Sequence, residues 1–296
     1  MSSGGGLDVR RGQLLRLAPV VVIVGVLSLA ALSAGLLASV GIQAGVSGRP
    51  SLDAYRAVLG HPGFPASYGF SVLVASVGTA VAVAGALLVG FRWSRPSGRM
   101  RAAKLGLLQL NLSVPHLVWA VALLATFSAS GWVARLATFV GVIDRPAQFP
   151  ALVNDRWGLG IIAHIASKEL PFIVLTLLPL SGRSTRAQLD QATLLGASAM
   201  DRFRHVYLPA VAPAVVPAGL AVFAFSLGAF EPAAVLGVEN PRSLAVVALD
   251  RFRDPDLAAR AEAFAISTVL LATCLVVAAL VWLLTRRWLV RPAGPS

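Results

Sequence analysis

Six long apolar blocks constrain what this sequence can fold into more than any other feature. They run approximately Leu14–Val40, Ala66–Phe91, Leu105–Ser128, Trp157–Ser181, Val211–Gly237 and Ala263–Thr285. A helix rises about 1.5 Å per residue, so each block is long enough to cross a hydrocarbon layer roughly 30 Å thick. No water satisfies backbone N–H and C=O groups there, so a spanning chain must be helical or a closed barrel. Barrel strands alternate apolar and polar residues over about ten positions, and these blocks do not. The sequence therefore predicts an all-α membrane protein with about six transmembrane helices.

Charge usage agrees. Charged residues make up 13% of the chain, against about 25% in soluble domains. A net charge of +12 would suit a nucleic-acid binder if it formed one patch, but the basic residues flank the apolar blocks as they do at the ends of membrane spans. The expected surroundings are a lipid bilayer, with no nucleic-acid partner. Arg10, Arg11 and Arg16 before an apolar stretch look like a secretory signal, yet Leu17–Val40 exceeds the about 7–15 residues of a signal core, which predicts a retained first helix. Cys274 is the only cysteine and lies inside an apolar block, so neither an internal disulfide nor a cysteine zinc site is expected.

Lysine and arginine counts set the orientation. Three, Arg10, Arg11 and Arg16, lie before or at the start of the first block, five between the second and third, four between the fourth and fifth and three after the sixth, which makes fifteen on one side. The other side holds nine: Arg49, Arg56, Arg135, Arg145, Arg156, Arg242, Arg251, Arg253 and Arg260. The positive-inside rule places both termini and the richer connections in the cytoplasm. The expected division is a cytoplasmic tail at 1–13, a membrane domain at 14–285 with a cytoplasmic loop at about 182–210, and a cytoplasmic tail at 286–296. The outer connections, with Pro50, Pro62, Pro65, Pro146 and Pro150, are long enough either to dock an external partner or to serve as solvated caps.

The most specific motif runs from Ser184 to Pro209 and reads as two short helices hinged at a glycine. Thr185 with Gln188 matches a capping box, and Gly196 stands where a left-handed residue would end the first helix. Ser198 can cap the second, with Asp201 in its first turn. Met200, Phe203 and Tyr207 recur at helical spacing as an apolar ridge, and Leu189, Ala192 and Leu195 form a weaker stripe. Such a ridge must be buried either on the protein's own helix ends or on a partner.

This segment resembles the cytoplasmic EAA loop of ABC-importer permeases: Glu-Ala-Ala, three residues, Gly, nine residues, Ile, one residue, Leu-Pro. Asp190-Gln191-Ala192, Gly196, Val206 and Leu208-Pro209 keep every spacing, with Gln191 for the first alanine and Asp190 and Val206 as conservative changes. The resemblance covers roughly Leu52 to Trp288 and is closest to the polyamine, ferric-iron, thiamine and phosphonate group. Val114-Pro115-His116, Lys168-Glu169-Leu170-Pro171-Phe172 and Ser226-Leu227-Gly228-Ala229-Phe230-Glu231 support it, although relatives often carry Gly-Glu-Phe where this chain has Ala229-Phe230-Glu231. The resemblance implies a type I ABC-importer permease-like bundle. It also implies that the loop, with Asp190, Gln191, Ala192, Gly196, Ala197, Ser198, Met200, Phe203, Val206, Leu208 and Pro209, docks as a coupling helix on an ATPase. The implied partners are an ABC ATPase dimer, a second permease as heterodimer rather than homodimer, and an extracytoplasmic solute-binding protein, all at a bacterial inner membrane.

Lys168, Glu169 and Glu231 fall near the middle of their blocks, where a charge costs at least about 2.5–3.5 kcal/mol and marks a pathway or a paired site. Neighbouring residues on a helix point apart, so Lys168 is expected to pair with Glu231 rather than with Glu169. Asn111 and His116 flank Pro115, whose kink frees backbone carbonyls, and helix packing is their expected role. His61, His164 and His205 are scattered and show no metal-ligand spacing.

No Gly-x-x-x-x-Gly-Lys-Ser/Thr phosphate loop is present, so no cofactor is expected in this chain, and ATP and Mg would sit on the separate ATPase. No nucleophile motif, His-Glu-x-x-His or paired catalytic aspartates indicate an intramembrane enzyme, and no catalytic residue is assigned. The alternative transport reading is a secondary transporter driven by an ion gradient, which usually shows two related halves and more spans. Two interior acids against one lysine lean towards a cationic small solute such as a polyamine.

Overall fold

The computed structural model describes residues 5–42, 49–93 and 99–289. Among them there is no β-strand, and six segments are long and apolar enough to cross a membrane: Ala18–Ser39, Phe64–Trp93, His116–Phe139, Leu159–Leu177, Ala199–Gly228 and Ala259–Arg286. The protein is a multi-pass membrane protein. Helix α1 (Gly5–Ser39) begins inside the segment expected as a tail, and residues 1–4 and 290–296 of the two expected tails lie outside the described residues. The chain divides into two compact units, Met1–Gly60 with Asp250–Thr268 and His61–Leu249 with Val269–Ser296.

In the first unit, α1 turns its valines outward, with Val20 to Val24 between 58% and 66% exposed. Such a face suits lipid rather than water. Ser39 at its end bonds Tyr55 of α2 (Asp53–Gly60) at 2.7 Å. The Ser51 hydroxyl donates to Asp53 and, with Arg56 at 3.1 Å, holds the Asp53 carboxyl below the usual carboxylate range. Arg251 pairs with Glu262 at 3.2 Å, and Phe252 packs edge-on to Phe264.

The second unit is built on α3 (Phe64–Trp93), which packs along α7 (Leu159–Leu177), with α10 (Leu208–Gly228) against both. Gly78, Gly85 and Gly90 let α3 come close: a Cβ at these positions would meet Ile165, Leu170 and the Tyr207 hydroxyl, respectively. Asp155 starts α7 by accepting from the N–H groups of Trp157 and Leu159, both at 2.8 Å.

Two expected spans are interrupted. The block Leu105–Ser128 is not one helix but α4 (Arg99–Ser113) and α5 (His116–Phe127), and α6 (Trp132–Phe139) follows. Pro115 has no N–H to continue the ladder. The block Val211–Gly237 ends as a helix at Gly228, and after Ala229-Phe230 the chain begins α11 (Glu231–Leu236). A continuous helix would need an N–H at Pro232, which proline lacks. Short helices also stand between the spans, α2 before Phe64 and α12 (Leu244–Arg253) after Gly228.

Candidate functional site

The loop between the fourth and fifth spans is a rigid corner. Helix α8 (Arg183–Leu194) ends at Gly196, whose φ of +81° is left-handed. The Gly196 N–H bonds the Thr193 carbonyl at 3.0 Å and the Ala197 N–H bonds that of Ala192 at 2.9 Å, the paired bonds that close a helix at a left-handed glycine. Ser198 caps α9 (Ala199–Arg202) by accepting from the Asp201 N–H at 3.1 Å. Arg202 reaches back across the corner to the Thr193 hydroxyl at 2.5 Å.

The capping box expected from Thr185 and Gln188 does not form. Gly182 precedes the helix, and the buried Thr185 hydroxyl donates to the Leu180 carbonyl at 2.8 Å. The expected ridge also divides. From Phe203 to Tyr207 the helix widens into a π turn, after which α10 starts with Pro209 in its first turn. Tyr207 is fully buried and Phe203 half-buried, both with ring centroids 5.4 Å from Phe91. Val206 packs on the same core, and Leu208 is half-buried beside it. Met200 instead faces outward at 65% exposure, with Leu194 and Leu195 each at 87%. Asp190 and Gln191 are exposed on α8, while Ala192 and Ala197 are half-buried. The loop thus buries one apolar set within the protein and leaves a second set bare at the corner. Leu194 belongs to that bare set although the stripe on α8 omits it; adjacency to Leu195 just before the glycine is the signal that marks it.

A second polar constellation lies between the spans. Lys168, 2% exposed, donates to the backbone carbonyl of Asn111. This is the carbonyl that an unbroken helix would bond to residue 115, and Pro115 leaves it available. Val114 also reaches it, at 3.3 Å. In place of the expected partnership with Glu231, the Lys168 ammonium donates to the carbonyl at the kink, which Pro115 leaves without its helical N–H donor. Glu231 begins α11, which packs on α5 and α7, rather than sitting in mid-helix.

Glu169 Oε1 stands 3.8 Å from His116 Nε2, and His116 Nδ1 stands 3.3 Å from His164 Nε2. The ring of Phe225 lies 4.9 Å from that of His116, and Trp119 donates to Ser167 at 2.9 Å. His164 reads as isolated in the sequence, yet it shares a face of α7 with Lys168 four residues on, and that spacing is the signal that places them together. Among the described residues, no three His, Cys, Asp or Glu side chains are grouped to hold a metal ion.

Comparison with known proteins follows the same lines. Residues 82–290 match the family described as binding-protein-dependent transport system inner membrane component. The chain is 29% identical over 244 residues to the inner membrane ABC transporter permease protein YnjC of Escherichia coli, covering 80% of this chain and 44% of that protein. It is 30% identical over 177 residues to the sulfate transport system permease protein CysT of Salmonella typhimurium, covering 60% of each. The match thus spans less than two thirds of either relative. In fold, the chain superposes with a TM-score of 0.73 at 14% identity on a chain of the bacterial alginate ABC transporter, solved in complex with an alginate pentasaccharide-bound periplasmic protein, covering 97% of this chain and 98% of that one. Six apolar spans and a loop with the spacing of a permease motif find their family here: the chain belongs to the inner-membrane components of binding-protein-dependent transport systems, the ABC-transporter permeases.

Proposed function

We propose that this chain is a membrane-spanning subunit of an ATP-driven solute importer in a bacterial inner membrane, forming half of a translocation pathway and coupling to a separate ATPase through the loop at 182–210. The observation that carries this reading is the bare apolar corner of Leu194, Leu195 and Met200, held on a backbone fixed by the Gly196 closure, the Ser198 cap and the Arg202–Thr193 bond. Apolar side chains left bare at a hydrogen-bonded corner where a span begins suit burial in a partner's cleft. The charge bias places this corner in the cytoplasm, with both termini. ATP and Mg belong to an ATPase dimer, and a second permease, in a heterodimer, supplies the other half of the pathway. A solute-binding protein delivers the substrate from outside.

For the substrate, a small cationic solute, such as a polyamine, fits the interior best. The interior set holds two acids, Glu169 and Glu231, against one lysine; Lys168 keeps its charge when it donates to the Asn111 carbonyl, so a single acidic charge remains in excess. Pull-down of the tagged protein from its native membrane in mild detergent, followed by mass spectrometry, tests the assembly. Recovery of an ATPase and a second permease is expected from wild type, with the ATPase lost from Leu195→Asp. A protein that repeatedly comes out alone and moves solute in liposomes on an ion gradient would overturn the reading.

A further inference from the structure

Glu169, His116, His164 and Ser226 form a line through the membrane interior. Glu169 Oε1 stands 3.8 Å from His116 Nε2, beyond hydrogen-bond length, but a carboxylate so placed electrostatically favours the His116 tautomer with its proton on Nε2. In the neutral ring Nδ1 is then an acceptor, and the 3.3 Å contact requires His164 to donate from Nε2. His164 Nδ1 is left as an acceptor, and among the described residues it has no partner. It borders a cavity of about 10 Å³, on whose wall the Ser226 hydroxyl is likewise buried without a partner. His164 is 1% exposed and Ser226 8%. Two orphaned polar atoms around a space of that size, with Ser71, Ser243 and Glu169 also on its wall, make a setting for one water molecule.

We propose that this cavity holds a single water bridging Ser226 to His164, and that uptake of one proton reverses the polarity of the line from His116 to Ser226. The proton arrives from the water at His164 Nδ1, and His164 passes its Nε2 proton to His116 Nδ1. One proton enters, none leaves, and the positive charge rests on His116 beside Glu169 instead of on the more deeply buried His164. His164 then presents Nδ1–H to the cavity, so the water and the Ser226 hydroxyl must turn. The titratable groups around the pair are Lys168 and Glu169 on α7 and Glu231 on α11, which acts electrostatically on His116. Helix α10 contributes no titratable side chain, α5 none besides His116, and α3 only Tyr68 and Arg92 near its ends; α4, packed on α7, carries Arg99, Arg101 and Lys104 in its first half, and α6, packed on α5, carries Arg135. The line joins α5, α7 and α10 next to the break at Ala229-Phe230, so protonation and the arrangement of these helices are linked. The inference goes beyond the importer reading, because it needs neither ATPase nor substrate.

The chain has four histidines, and His61→Gln with His205→Gln removes the two outside the cluster. Nitrogen NMR of this 15N-histidine-labelled protein in lipid nanodiscs then reads His116 and His164 directly. At neutral pH both rings should be protonated on Nε2. On acidification His164 should move its proton to Nδ1 at the same midpoint at which His116 becomes doubly protonated, and magnetisation exchange from water to His164 should vanish in Ser226→Val, which fills the cavity. A neutral His164 protonated on Nδ1, two independent midpoints, or water exchange unaltered by Ser226→Val would each overturn the proposal. If Ser226→Val does not fold, the titration of the otherwise unaltered protein still decides.

Discussion

Leu194 and Leu195 offer the sharpest quantitative test of the corner. Each is 87% exposed, so almost all of its apolar surface is available to a partner. Truncation to alanine removes three carbons, worth about 0.8 kcal/mol each when buried, or roughly 2 kcal/mol per leucine after allowing for the part already covered. At about 1.4 kcal/mol per tenfold, each single variant should weaken ATPase binding about 30-fold. Adjacent side chains share a pocket and need not add, so the double variant should lose roughly 100- to 1,000-fold. Neither leucine supports the fold, and thermal stability should stay within about 0.5 kcal/mol of wild type. The assay is a titration of the cognate ATPase onto the permease in nanodiscs, with thermal unfolding measured in parallel. A double variant that binds within about threefold of wild type would refute the reasoning, since that difference is under 1 kcal/mol.

Three further outcomes follow from the packing. Gly90→Ala should destabilise the protein by about 1–3 kcal/mol, because its Cβ would overlap the Tyr207 hydroxyl; Tyr207→Phe should relieve much of this in a double-mutant cycle, since the next ring atom stands at 3.5 Å. Lys168→Ala should cost about 1.5–3 kcal/mol through loss of the bond to the Asn111 carbonyl, and clearly less in a Pro115→Ala background, where residue 115 supplies its own N–H; equal costs in both backgrounds, by denaturant unfolding, would mean that the lysine does not serve the kink. Ser198→Ala should lose a cap worth about 0.5–2 kcal/mol, seen as faster amide exchange from Ala199 to Arg202 with the α3–α7 packing unaffected.

What the sequence discloses here is what depends on long runs and on local backbone chemistry. The number of spans follows from apolar length, although the third lies at His116–Phe139 rather than Leu105–Ser128 and the fifth at Ala199–Gly228 rather than Val211–Gly237; the left-handed closure at Gly196 and the Ser198 cap follow from residue type at fixed offsets. Prolines inside apolar blocks are harder to read: Pro171, Pro213 and Pro217 lie within intact helices, whereas the chain breaks at Pro115 and just before Pro232. Which outcome holds depends on what satisfies the freed carbonyl, a tertiary fact. The same dependence hides Lys168's partner, since pairing charge with charge overlooks a backbone oxygen as acceptor. His116 and His164 are 48 residues apart, and nothing in either segment announces that α5 and α7 bring them into contact.

The π turn at Phe203–Tyr207 is a phase-setting element. Residues seven apart on an undisturbed α-helix share a face, yet Met200 looks outward while Tyr207 is fully buried. One residue inserted into a helix of 3.6 residues per turn rotates everything before it by roughly 100°. The corner's bearing is therefore fixed by a count of residues as well as by their identities. Deleting one residue here would leave composition and hydropathy almost unaltered while swinging Leu194, Leu195 and Met200 about a quarter turn around the α10 axis. Two chains that differ only in this way would present the same apolar corner in different directions and so demand differently placed clefts.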